Sequence, residues 1–102
     1  MIHVIAAIEV APGRRDDFLQ GFHRLMPKVH AEPGCLEYGP TVDVASGLSV
    51  QPPLRENVVV VCEKWESLAA LQAHLTAPHM AEWRESMKDI VRGVSLQVLQ
   101  PA

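Results

Sequence analysis

Basic residues are few and scattered in this chain. Nine Lys and Arg stand against twelve Asp and Glu, for a net charge of −3. With no basic stripe, nucleic acid and anionic membrane surfaces are excluded as expected partners. No apolar run is longer than Val58–Cys62, which is far too short to span a bilayer, so no membrane insertion is expected. The N-terminus has no positively charged region, long apolar stretch or cleavage site, so no secretion signal is read and a cytoplasmic location is expected. Only two cysteines occur, Cys35 and Cys62, and they form no CxxC pair. They read as small buried residues in a reducing compartment, not as a disulfide or a metal site. There is no repeat, no phosphate-cradling glycine motif and no metal-ligand constellation, so neither flavin nor metal is expected. Aromatics are scarce as well, at two Trp, one Tyr and two Phe. Each Trp and the one Tyr therefore need a reason.

Apolar residues, by contrast, make up 48% of the 102 positions, which argues for a folded chain with one core and one domain over residues 1–102. Ile2–Val10 alternates as a strand, with Ile2, Val4, Ala6, Ile8 and Val10 on one face. Ala11-Pro12-Gly13 breaks it. Asp16 and Asp17 suit a helix N-terminus, and Phe18, Phe22, Leu25, Met26 and Val29 recur at helical spacing. Pro27 should kink or interrupt this helix near its end, and Glu32-Pro33-Gly34 stops it. Cys35–Val44 reads as a second strand, with Leu36, Tyr38, Pro40 and Val42 on one face. Pro40 assigns it to a sheet edge or to a bulge at Gly39-Pro40. Ala45–Asn57 is a long loop without periodicity.

Val58–Trp65 opens with a β-branched run that reads as a central strand, apolar on both faces. Ser67 is a helix N-cap, and Leu68, Leu71 and Leu75 mark a short helix that Pro78 interrupts or redirects. Met80, Trp83, Met87, Ile90 and Val91 continue the helical pattern until Gly93 ends it. Val94, Leu96 and Val98 alternate as a last strand. The order is βαββαβ, so the expected architecture is α+β and ferredoxin-like: a four-stranded antiparallel sheet with the helices on one face. Strands one and three should be central and two and four edges. The face opposite the helices remains apolar, and a homodimer packing sheet on sheet is the simplest cover for it.

Four elements of the sequence are shared with a known superfamily: Pro12-Gly13, Glu32-Pro-Gly-Cys35, Glu63-x-Trp-Glu-Ser67 and His74-Leu-x-x-Pro-His-Met80. Together with the βαββαβ plan they resemble the antibiotic-biosynthesis-monooxygenase superfamily of dimeric α+β barrels. A second block, Tyr38-x-Pro-x-Val-Asp-x-Ala-x-Gly-x-Ser-x-Gln51 followed by Leu99-Gln-Pro101, is similar to the bacterial quinol monooxygenases. That resemblance implies oxidation of a menadiol-like quinol or related polycyclic phenol by O2, without metal or flavin, in a homodimer. The heme-degrading branch uses an asparagine in the first strand and a histidine farther along the second helix. Here those regions hold Ile5-Ala6-Ala7 and Trp83-Arg84.

Most of the candidate residues lie on the third strand and the helical segment after it. His79 follows Pro78 at a helix start, where the amide dipoles disfavour a positive charge. It is either a surface cap or a base that accepts a phenolic proton. His74 flanks the Leu71/Leu75 stripe and is either a hydrogen-bonded core histidine or a second base. The two are five apart across a proline, unlike the i, i+4 pair of a helical zinc site. Tyr38 could hydrogen-bond a quinol oxygen. Trp65 either packs in the core or walls a flat aromatic ligand. Glu63, an acid on an apolar strand, must find a partner or stay protonated. Asp43 is a candidate for substrate contact or simply caps the long loop. The leading expectation is a cofactor-free quinol monooxygenase with one apolar pocket per subunit between sheet and helices. The alternatives are an isomerase like the branch that processes phosphorylated autoinducers, which would need Arg55 or Arg84 for a phosphate, and a non-catalytic dimer that binds a small ligand.

Overall fold

The computed structural model describes all of residues 1–102. Its elements are β1 (Ile2–Val10), α1 (Arg15–His30), β2 (Cys35–Thr41), β3 (Val58–Trp65), α2 (Leu68–Leu75), α3 (Pro78–Met87) and β4 (Val91–Leu99). The strands form one antiparallel sheet in the order β2-β3-β1-β4. The Val-rich β3 and β1 are thus central, and the proline-bearing β2 and β4 are edges, as the sequence pattern requires. One sheet face is covered by helices. Val4, Ala6, Val59, Val61 and Trp65 meet Phe18, Phe22, Leu25 and Val29 of α1, Leu71 of α2 and Met80 and Met87 of α3 in a single core.

Some expectations are corrected. α1 runs unbroken through Pro27 to His30. The carbonyl that Pro27 cannot bond belongs to His23, and both residues are exposed, so water can take the missing donor's place. β2 ends at Thr41, so Val42–Val44 belong to the loop. The bulge lies at Cys35–Glu37, not at Gly39-Pro40. It sets Cys35 opposite Trp65 and Tyr38 opposite Glu63, so both point to the helix side while Leu36 is exposed. Pro78 does interrupt the second helical segment, as expected: it occupies the first turn of α3, so the segment is two helices. Gly93 is no cap: α3 stops at Met87, and Gly93 pairs with Glu9 inside β4.

The loop 42–57 is tied at its neck. Asp43 receives two hydrogen bonds from the Arg55 guanidinium, at 2.8 and 2.9 Å, and one from the Arg55 amide at 2.9 Å. Arg15 of α1 donates to the Arg55 carbonyl at 3.2 Å. On the sheet face away from the helices lie Ile5, Ala7, Val58, Val60 and Cys62, none of them fully buried. Residues opposite one another in an antiparallel pair share a face. Val94, Leu96 and Val98 therefore lie on the helix side, beside Ile8, Ala6 and Val4, yet all three are exposed. No helix of the chain is long and apolar enough to cross a membrane.

Candidate active site

Local rules bring three distant residues together. α1 ends in the turn Glu32-Pro33-Gly34, in which Gly34 adopts φ +82°. A side chain at Gly34 would meet the Ala70 Cβ at 2.6 Å, so only glycine lets this turn lie against α2. The Gly34 carbonyl accepts the Glu66 amide at 2.9 Å, which fixes the approach. α2 starts at Ser67, whose hydroxyl accepts the Ala70 amide at 3.1 Å, and carries Leu71 and His74 on its buried side. α3 starts at Pro78, which leaves His79 in its first turn. Arg84 donates to the Leu75 carbonyl and ties the end of α2 to α3.

The result is one carboxylate between two imidazoles. His74 Nδ1 lies 2.9 and 3.1 Å from the two Glu32 oxygens, and His79 Nε2 lies 2.7 Å from Glu32 Oε2. An ionised carboxylate only accepts hydrogen bonds, so each of these ring nitrogens carries its proton as donor. In the neutral rings the lone pairs are then at His74 Nε2 and His79 Nδ1. Burial grades inward, with side-chain exposure of 21% at His79, 11% at Glu32 and 2% at His74. Burial is the largest influence on His74 and pulls its pKa below the ordinary value, against the opposing pull of Glu32.

Around His74 stand the aromatic candidates. Its ring lies 4.6 Å from that of Trp65 and edge-on to Tyr38 at 5.4 Å, and Tyr38 stacks on Phe22 at 5.2 Å. The Trp65 indole N–H donates to Glu63 at 2.9 Å. Glu63 has found its partner, yet burial still pushes its pKa up to about 7, with Glu32 adding to the rise. Burial, helped by Glu63 and Glu32, also raises the Tyr38 phenol far above its usual range, so it stays a donor at any physiological pH. His30, at the end of α1, donates from Nε2 to the Tyr38 carbonyl at 2.8 Å.

His74, His79, Tyr38, Trp65 and Glu63 are thus brought into one connected group. Asp43 is not: its bonds are to Arg55 at the loop neck, and they hold its carboxyl at about 2. The apolar pocket expected between sheet and helices is occupied by the packed rings of Phe22, Tyr38, Trp65 and His74. Open volume lies at the cluster's rim. A groove of about 670 Å³ is bordered by Glu32, Pro33, Ala70, Ala73 and Ala77, and another of about 250 Å³ by His79, Arg24 and Trp83. Sequence reasoning missed Glu32, which looked like part of a helix stop. Its one signal was an acid at a turn in a chain with two histidines otherwise short of partners.

Comparison with known proteins places this architecture. The sequence profile of the antibiotic biosynthesis monooxygenase family matches residues 1–86. The probable quinol monooxygenase YgiN of Escherichia coli K12 is 41% identical across 99% of this chain and 98% of its own length, and the Shigella flexneri protein of that name matches equally well. The crystal structure of PA3566 from Pseudomonas aeruginosa superposes with a TM-score of 0.81 at 23% identity, covering 99% of this chain and 93% of that one. Rv0793 from Mycobacterium tuberculosis does so at 0.77 with 25% identity, covering 99% and 94%.

Proposed function

The chain belongs to the antibiotic biosynthesis monooxygenase family, and on that footing we propose that it oxidises a menadiol-like quinol or related polycyclic phenol with O2, without metal or flavin, as a homodimer. The observation that carries this reading is a buried imidazole, His74, with one nitrogen bound to a carboxylate and two aromatic rings against it. The other nitrogen is then free to take a phenolic proton. The resulting quinolate is electron-rich enough to pass an electron to O2. In the full reaction the quinol gives up four electrons, one oxygen atom enters the ring and the other leaves as water, so quinol and O2 become hydroxyquinone and water. The protonated Tyr38 phenol would hydrogen-bond the second quinol oxygen, and Trp65, held by Glu63, would wall the ring. Because these rings are packed together, substrate must displace one of them on entry. Tyr38, on the edge strand β2, is the one with least sheet to move. A cytoplasmic location goes with this reading, and the two unpaired cysteines suit it.

Oxygen uptake by the purified protein across a panel of reduced quinones tests it, after subtraction of the rate at which quinols oxidise unaided. Saturable uptake with a hydroxylated quinone as product is expected. Anaerobic quinol binding without uptake in air would instead indicate a non-catalytic binder. Nothing favours the phosphate-handling isomerase, since Arg55 is engaged by Asp43 and Arg84 by the Leu75 carbonyl.

A further inference from the structure

We propose that Glu32 is the positioning residue of this site: it decides which histidine, and which nitrogen of that histidine, is the base. The proposal rests on the quinol reading for the reaction but on geometry for the role. Glu32 is the only side chain that hydrogen-bonds both imidazoles, and it does so from the α1–β2 turn, outside the helices that carry them. Its two oxygens straddle His74 Nδ1, at 2.9 and 3.1 Å, while only one reaches His79. The straddling contact locks the His74 ring in plane and in one tautomer, with the proton on Nδ1 and the lone pair on Nε2. When His74 takes a proton from substrate, the imidazolium forms directly against a negative charge, which lowers the barrier to that transfer. His79, bonded at Nε2 and partly exposed, supports Glu32 from the solvent side.

The charged and titratable groups around His74 are consistent with this assignment. Glu32 comes from the turn, His79 and Arg84 from α3, Tyr38 and Cys35 from β2, and Glu63 from β3 by way of Trp65. Of these, only Glu32 hydrogen-bonds the ring. The remaining groups act at a distance or through a neighbouring aromatic.

Glu32→Gln is the discriminating variant, because the amide keeps the shape but can donate to Nδ1 and so permit the wrong tautomer. Its kcat should fall by roughly 10²–10⁴-fold, the range that losing a general base or its correct tautomer costs, with KM little changed. Glu32→Asp, which keeps the acceptor-only charge, should recover part of that loss. Isotope-edited NMR of the histidine side chains gives a readout independent of turnover: His74 should carry its proton on Nδ1 in the wild type and shift toward Nε2 in Glu32→Gln, with melting curves confirming that both are folded. A Gln variant with unchanged kcat overturns the proposal and leaves the quinol reading standing; a wild-type His74 protonated at Nε2 overturns it as well, and the quinol reading then rests on O2 uptake and product alone. The expected tautomers without any quinol-dependent O2 uptake would instead sink the quinol reading and keep Glu32 as the anchor of His74.

Discussion

At the scale of single residues, this site is a contest between burial and pairing. His74 lies deepest and is pulled below its ordinary pKa by desolvation, so it is neutral and able to accept a proton at physiological pH. If it is the base, His74→Gln should lose roughly 10²–10⁴-fold in turnover, whereas His79→Gln, which removes only the outer bond to Glu32, should lose far less. Turnover in the wild type should persist below the 6.5 of an ordinary imidazole before acid abolishes it; a reversed ranking of the two variants would make His79 the base. Glu63 presents the opposite case. Its folded pKa of about 7 lies above the ordinary 4.5, so the folded state binds its proton more tightly than the unfolded chain does. The stability tied to that proton is full below about 4.5 and is lost as pH climbs through 7. A shift of that size corresponds to about 3 kcal/mol. His74 has the reverse sign, losing stability as pH falls below 6.5, so wild-type melts mix two opposing slopes. Glu63→Gln should flatten only the alkaline loss, and melting temperatures of both proteins across pH 4–9 will show whether it does. The histidines, Tyr38, Trp65 and Glu63 stood out in the sequence because each is an unusual residue in its local pattern. Glu32 was not, since its partners lie 42 and 47 positions away and no periodicity links a turn residue to two later helices.

At the scale of elements, the strands and helices followed from alternation and spacing, and the misreadings came where one residue type has two uses. Gly93 resembled a helix cap but fills a strand position opposite Glu9. Pro27 resembled a breaker but sits where its missing bond faces water. The Cys35–Glu37 bulge has no sequence marker of its own, yet it turns both Cys35 and Tyr38 toward the helices and so brings Tyr38 to His74. If Glu32 positions His74, the element that most controls the site is the turn carrying it, and Gly34 is the test. Gly34→Ala meets both a left-handed backbone at φ +82° and the Ala70 side chain, whereas Gly13→Ala meets a similar backbone at φ +78° with nothing within 4 Å. The backbone conformation alone costs about 1–2 kcal/mol and overpacking adds about 1–3 kcal/mol. Gly34→Ala should therefore lower the melting temperature clearly more than Gly13→Ala, and it should also lower turnover by displacing Glu32. Equal melting shifts in the two variants would mean that the contact with α2 is slack.

At the scale of the whole molecule, the helices cover one side of a four-stranded sheet and leave two apolar regions uncovered. One is the open face, with Ile5, Ala7, Val58, Val60 and Cys62 at its centre. The other is the helix side of β4, where Val94, Leu96 and Val98 extend past the helices. The loop 42–57 adds Val42, Val44, Leu48, Val50 and Leu54, all exposed although the Asp43–Arg55 pair fixes its neck. A small domain with this much exposed aliphatic surface is short of the burial that stability needs, and a second copy would supply it. Packing open face on open face would bury the β1–β3 centre of both copies, and a partner's loop reaching round the sheet edge would cover β4. The total should exceed roughly 1,000 Å², the size below which contacts are seldom specific. Light scattering at micromolar concentration should give twice the 11.2 kDa of one chain. Val60→Glu sets a charge at the centre of the open face and should yield monomers. Leu96→Lys tests the second region separately: it should weaken the dimer if β4 is wrapped by the partner and leave it intact if the contact is confined to the open face. A wild-type protein that stays monomeric under these conditions would mean that neither surface is an interface.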